Sequence, residues 1–595
     1  MNKHNIAKVE QAPSEVVIHY DVPCRLRDGT VLRADIARPA GEGRWPVILT
    51  RTPYGKAFAP GFTTELTHGA RHGFVTIIQD VRSRGASDGE GDFRPWVKEG
   101  ADGAEAVEWA AALAYSNGEV FMTGPSYLGF VQWAAAVEQP ASLRGINPIV
   151  SVGQFRRSLM YCGGVYELEL NGFWWTTMGL EALTRRTWSS PSEMRQALGQ
   201  AVATADALGR DHGFDSLPLS RFEPVASSAL GKGLFDILKE GETGPSIAAS
   251  TKANAYESIT VPALIVGGWY DLFIRASIDQ FMGMRARGGS ADAREKTRLI
   301  VGPWAHQTQG KMTGERVLPG SAAIQRLNPY GHMGLAAEYF RELQHGGSEQ
   351  APVKIWVMGA DVWRDEWEWP IGRTEVTPWY LSSAGRANSR LGDGVISPTE
   401  ITGPPDGFTY DPANPVPTHG GAVMGVTCAQ GGSDCRVLEE REDILVYKSD
   451  ILSEDIEVTG TPFVELWITT DVVDTDFVAR LIDVHPDGTA RLITDGIIRA
   501  RYRDHPDGFK PAAPLEPGRP YLLRIELLPT SNLFRAGHRL QIDITSSCFP
   551  RWARNLNIWD EWEGALADGM IAHQQILHDD EHVSRVLLPI VPARP

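Results

Sequence analysis

A serine held where a buried strand turns sharply into a helix is a candidate nucleophile, and this chain offers one. Glu119–Gly124 reads as a buried strand and Leu128–Val137 as an apolar helix, with Ser126 between them in the run Gly124-Pro125-Ser126-Tyr127-Leu128-Gly129. A turn of this kind strains the backbone and exposes the hydroxyl, while glycines at its ends keep side chains off the neighbouring strand and helix. The spacing departs by one residue from Gly-x-Ser-x-Gly, because Gly129 stands three after the serine. A helix N-cap is an equally ordinary use of such a serine, so the hexapeptide leaves both readings open.

Two later strand ends narrow the choice. VPALIVGG delivers Trp269-Tyr270-Asp271, and TRLIVGPWA delivers His306. A serine hydroxyl is too weak an acid to attack a carbonyl unaided, so His306 would take its proton and Asp271 would orient and stabilise the imidazolium. The chain order Ser, Asp, His is that of α/β-hydrolases. Asp271 as a loop acid or helix cap, and His306 as a packing histidine, are the bland alternatives. Three suitable residue types at three strand ends argue against them jointly. His332 and His345 are second choices as base, since neither follows a recognisable sheet strand. Acyl transfer also needs donors for an oxyanion. The backbone N–H of Tyr127 follows from its place after the serine, and Tyr54, in RTPYGK after the strand PVILT, offers a phenol where the second donor belongs. A turn tyrosine packed on the sheet is its alternative role.

Positioning these residues calls for a mostly parallel sheet. From Val16 to Gly145 short β-rich runs alternate with helical ones, and the pattern resumes at VPALIVGGWYD. Between them, residues 153–256 are rich in Trp, Met, Leu and helix formers with no clear strand, which reads as an inserted helical cap. Beyond 374, short alternating strands separated by Gly, Pro and Asp suggest a β-sandwich of the jelly-roll kind. The expected division is therefore an α/β-hydrolase domain at 1–152 and 257–373, a cap at 153–256 and a C-terminal sandwich at 374–595.

A chain of 595 residues exceeds one core, and 42% hydrophobic with 22% charged residues suits packed domains. The net charge of -17 makes nucleic acid and anionic membrane surfaces poor partners. Five cysteines, odd in number, fit reduced thiols in the cytoplasm; Cys428 and Cys435 are the one close pair, for which a local disulfide or half a zinc site is the alternative. The N-terminus lacks the apolar core of a signal peptide, and no run of 18 or more apolar residues occurs.

GPSYLGF, RTPYGK, QDVRSRGASDGE, GGWYDLF and GPWAH, followed by VKIWVMGADVWRDEWEWP, TDFVARLIDVHPDGTARLITDGIIRARYR and SSCFPRWARNLN, resemble the cocaine esterase-like (CocE/NonD) hydrolases. That family is related to X-Pro dipeptidyl-peptidases, α-amino-acid ester hydrolases and glutaryl acylases. The resemblance spans nearly the whole chain in the family's order. It implies an α/β-hydrolase domain with inserted cap and C-terminal jelly roll, Ser126 as nucleophile, Asp271 as acid, His306 as base, and Tyr54 hydroxyl with Tyr127 N–H as oxyanion hole. It implies no cofactor and no metal. Pro125 stands where relatives often carry a small or aliphatic residue. The cap segment QFRRSLMYCGGVYELELNGFWW does not visibly reproduce the acidic cluster that holds an α-ammonium group; Glu167 and Glu169 are the substitutes on offer, with surface helix positions the more ordinary reading. Trp174, Trp175 and Phe273 are the candidate pocket walls, with plain core packing as their alternative.

The expectation is a carboxylic ester hydrolase acting on a small-molecule substrate. An amidase or X-Pro dipeptidyl-peptidase with the same triad is the runner-up, then an acyltransferase, and last a binding protein whose sandwich carries the function. Edge strands of the sandwich would allow a homodimer.

Overall fold

Runs of Val, Ile, Leu and aromatic residues, buried along almost their whole length, form the centre of the larger sheet: β3 (Trp45–Thr52), β4 (Val75–Asp80), β5 (Ser116–Pro125), β6 (Leu143–Ile149), β7 (Leu264–Tyr270) and β8 (Arg298–Ala305). Such runs are what a parallel strand covered on both faces requires. The computed structural model describes residues 15–57, 60–89, 93–210, 212–239, 244–307, 312–346, 350–505 and 512–592, so the N-terminal segment read for a targeting signal lies, up to residue 14, outside them. Edge strands β1 (Val16–Arg25) and β2 (Val31–Pro39) on one side, and β9 (Val353–Val357) with β10 (Val362–Glu366) on the other, complete a 10-stranded sheet. Its order is β1-β2-β4-β3-β5-β6-β7-β8-β9-β10. The β3-to-β9 core is parallel, whereas β1, β2 and β10 run antiparallel to their neighbours.

Helices α1 (Pro60–Arg71), α2 (Glu99–Ala111) and α3 (Tyr127–Ala136) connect the early strands. All ten residues of α3, YLGFVQWAAA, are buried. A helix apolar on every side belongs inside, and α3 lies against β5, β6 and α2.

After β6 the chain leaves the sheet and rejoins it at the adjacent strand, with Ile149 opposite Val266. The excursion contains α4 (Leu168–Thr184), α5 (Pro191–Leu208) and shorter helices at Gly231–Lys239 and Pro245–Ala253. Because it departs from the carboxyl end of β6, it lies on the side where open parallel sheets carry their sites. One expectation is corrected here: the segment does hold strand, a short antiparallel pair at Tyr161–Cys162 and Val165–Tyr166. Two-residue strands leave no periodicity to read, and their turn exists to meet the second sheet, where Gly163 O accepts from Arg499 N at 2.8 Å.

From Glu375–Ser382 to Arg585–Val591 the chain forms an all-β sandwich, with 13 paired strands among the described residues. Phe463–Thr470 alternates between half-buried and buried residues, as one covered face demands. The sandwich is tied to the larger sheet through Tyr270 Oη, which donates to Leu492 O at 2.9 Å, and through Met358 N and O, bonded to Ser531 and Leu533.

Candidate active site

Ser126 lies between β5 and α3 with φ 59° and ψ -122°, a strained conformation for a residue with a side chain. The strain is held by its backbone N–H, which donates to Ile149 O on β6 at 2.8 Å, and by α3, whose Gly129 and Phe130 N–H groups both donate to Ser126 O. Close packing completes the turn. A side chain at Gly124 would meet Leu128 Cβ at 2.6 Å, and one at Gly129 would meet Ser151 Cβ at 2.6 Å. Although Ser126 occupies the N-cap position, its side chain makes no capping bond. Its Oγ lies 3.1 Å from His306 Nε2 instead, and His306 Nδ1 lies 2.7 Å from Asp271 Oδ1. Asp271 is fully buried at the end of β7, and His306 follows β8 directly. Phe273 packs edge-on against the imidazole, ring centroids 5.2 Å apart. A carboxylate accepting at Nδ1 leaves Nε2 free to accept from the serine hydroxyl, an arrangement chemically able to draw the proton off the hydroxyl.

Tyr54 lies on the loop after β3 with its phenol beside Ser126, and Trp174 Nε1 donates to its oxygen at 3.3 Å. Burial, the largest influence, raises the phenol above its usual range, so it stays a donor. Tyr127 begins α3, where the first N–H groups of a helix have no partner within it. Its side chain is turned away from Ser126, donating to Glu99 Oε1 at 2.9 Å and accepting from Trp96 N at 3.0 Å.

These groups open into a cavity of about 1010 Å³ under α4 and α5. Its walls include Leu159, Leu170, Trp174, Met178, Phe273 and, from the sandwich, Met424. Trp174 and Phe273 border this cavity. Trp175 does not: it is wholly buried behind Trp174, ring centroids 5.2 Å apart, and packs on Trp96 and Gly233. Consecutive helical residues point about 100° apart, so only one of the two can face the cavity. His332 is half-buried beside Trp304, with desolvation lowering it to about 4, and His345 caps the helix Gly331–Gln344; neither borders the cavity.

Residues 28–308 match the X-Pro dipeptidyl-peptidase (S15 family), and residues 345–587 match the X-Pro dipeptidyl-peptidase C-terminal non-catalytic domain. The cocaine esterase of Rhodococcus sp. (strain MB1 Bresler) is 33% identical over 95% of this chain and 97% of its own length. The chain belongs to the cocaine esterase-like S15 family. It is a serine hydrolase acting on esters or peptides. An aminopeptidase from the marine sediment archaeon Thaumarchaeota archaeon shares the fold, with TM-score 0.78 at 21% identity over 100% of this chain and 99% of that one. An α-amino acid ester hydrolase does so with TM-score 0.71 at 21% identity, covering 98% and 97%.

Within this S15 enzyme the acids near the cavity are already engaged, and sequence reasoning missed how. Glu169 is buried and Glu167 half-buried, rather than lying on the helix surface. Glu169 accepts from the backbone N–H groups of Met424, Val426 and Thr427 and from the Thr427 hydroxyl, each at 3.1 Å, so it fixes the loop that carries Met424. Glu167 accepts from Trp552 Nε1 at 2.9 Å. Glu181 pairs with buried Arg84 at 2.8 Å and accepts from Gly85 N at 2.9 Å. Asp80 accepts from Lys56 N and Ala86 N. Arg84 lay in plain view in QDVRSRGASDGE, but its partners Pro53 O and Met178 O are distant in sequence. The five cysteines are all free, Cys428 and Cys435 included.

Proposed function

We propose that this S15 enzyme hydrolyses a bulky, uncharged carboxylic ester through an acyl-Ser126 intermediate. The observation that carries the reading is the continuous hydrogen-bond chain Ser126 Oγ, His306, Asp271, at 3.1 and 2.7 Å, opening into a cavity with apolar walls. In the forward step His306 Nε2 takes the hydroxyl proton as Oγ attacks the ester carbonyl, and Asp271 stabilises the imidazolium. The carbonyl oxygen becomes an oxyanion that receives hydrogen bonds from Tyr54 Oη and Tyr127 N–H. His306 then passes its proton to the leaving alcohol. Water repeats the sequence on the acyl-enzyme, and the acid departs.

An ester is favoured over an amino-terminal peptide because an α-ammonium group entering this cavity would need a carboxylate free to meet it. Glu167, Glu169, Glu181 and Asp80 each hold a partner of their own. The free cysteines support a reducing compartment, so a cytoplasmic location is part of the proposal. A panel of p-nitrophenyl esters, aryl amides and Xaa-Pro amides tests the substrate class. Turnover should be highest on esters with large apolar acyl groups and absent in Ser126→Ala. Preferential cleavage of Xaa-Pro amides would replace the ester reading with the dipeptidyl-peptidase one.

A further inference from the structure

Three side chains of metal-ligating type meet at one end of the sandwich, remote in sequence from the catalytic residues. Asp483 lies near the end of the strand Asp476–Val484, His485 opens the turn that follows it, and His538 lies in the turn before the strand Arg539–Thr545. One ligating atom from each lies within 4.8 Å of the other two. Asp483 is 4% exposed and stands between the histidines: its Oδ1 is 2.8 Å from His538 Nδ1 and its Oδ2 is 3.8 Å from His485 Nε2. The imidazoles are neighbours as well, ring centroids 4.5 Å apart.

We infer that Asp483, His485 and His538 form a binding site for a divalent transition metal of the zinc class. Two imidazole nitrogens and one carboxylate oxygen suit such an ion better than calcium or magnesium, which favour all-oxygen sets. A tetrahedral ion with ligands at about 2.0–2.2 Å sets the ligating atoms roughly 3.3–3.6 Å apart; His538 Nδ1 stands 2.8 Å from one carboxylate oxygen of Asp483 and His485 Nε2 stands 3.8 Å from the other, so one ion between the rings would draw both toward the same carboxylate. The neighbouring charges are mixed, with Arg491 and Asp487 beside His485. The ion would brace two turns, and the second of them touches the larger sheet, where Arg535 Nε donates to Gly359 O at 3.2 Å.

Cobalt(II) is the probe of choice, because its d–d absorption reports imidazole and carboxylate ligation directly. The full chain, stripped with chelator and dialysed, is titrated with cobalt(II) and then with zinc as competitor, beside the His485→Ala and Asp483→Asn variants. His485 is partly exposed in a turn, and its truncation should leave ester turnover unchanged, which serves as the check on folding. The inference predicts one equivalent of cobalt(II) displaced by zinc, a zinc-dependent rise in Tm, and loss of both in His485→Ala and Asp483→Asn. A wild-type chain that takes up no cobalt(II) would overturn it, as would His485→Ala binding the same equivalent with the same spectrum.

Discussion

At the scale of single residues, Ser126 illustrates what a short motif leaves open. The hexapeptide allows a helix cap and a nucleophile equally; the side chain makes no capping bond and turns from α3 toward His306, which favours the proposal of a nucleophile. Asp271 and His306 were legible because each follows an apolar strand, and a strand end is a position that sequence reveals. Arg84, Glu169 and Glu181 were not, since their roles come from partners 31 to 258 residues away, which no local pattern encodes. Tyr54 stands between these cases: its loop was legible, while the Trp174 indole that donates to its oxygen lies 120 residues on. In the proposed mechanism the phenol, which accepts from Trp174 and lies beside Ser126, donates its proton to the substrate oxyanion. Tyr54→Phe should therefore lose about 10²-fold or more in kcat with little change in KM, measured by steady-state turnover of the best ester. An unchanged kcat would remove Tyr54 from the oxyanion site.

At the scale of elements, the strands β3 to β8 were readable because apolar runs four to eight residues long have few other uses. The Tyr161–Tyr166 hairpin was not, because its strands are too short to show alternation and exist through contact with the sandwich. The departure from Gly-x-Ser-x-Gly also becomes intelligible at this scale. Gly129 lies on α3 facing Ser151, which follows β6, and it is this close approach of helix to strand end that requires a glycine. Gly129→Ala should push α3 away from β6 and carry Ser126 with it. Thermal denaturation should show a loss of about 1–3 kcal/mol, the usual cost of overpacking, and turnover should fall with it. Full stability and activity in this variant would mean that the elbow tolerates a wider approach than its geometry indicates.

At the scale of the whole molecule, the cap and the sandwich are joined by buried charged and polar groups. Glu167, bonded to Trp552 across this junction, is raised by burial to about 7, which outweighs the lowering influence of Arg551. Between its ordinary value of 4.5 and about 7 the folded chain then holds a proton that the unfolded chain has released. Stability from this group is accordingly full below pH 4.5, falls as pH rises through that window, and is level above it. Glu167→Gln keeps an acceptor for Trp552 and cannot ionise. It should match the wild type near pH 4.5 and exceed it at pH 8 by up to about 3 kcal/mol in denaturant titrations. Part of the fall remains in the variant, because Glu561 is likewise raised to about 7 by burial. The domain division expected from the sequence rests on composition shifts, whereas the cavity is built from all of these parts: the loops after β3, β5, β7 and β8, the helix α4, and the Met424 loop clamped by Glu169. Ser126 is the point on which they converge. The most direct test of the account is the intact mass of the protein after exposure to a fluorophosphonate. One adduct per chain on the wild type, mapped to Ser126 and absent from Ser126→Ala, is predicted. An unmodified wild-type chain, or a Ser126→Ala chain that labels equally, would contradict it.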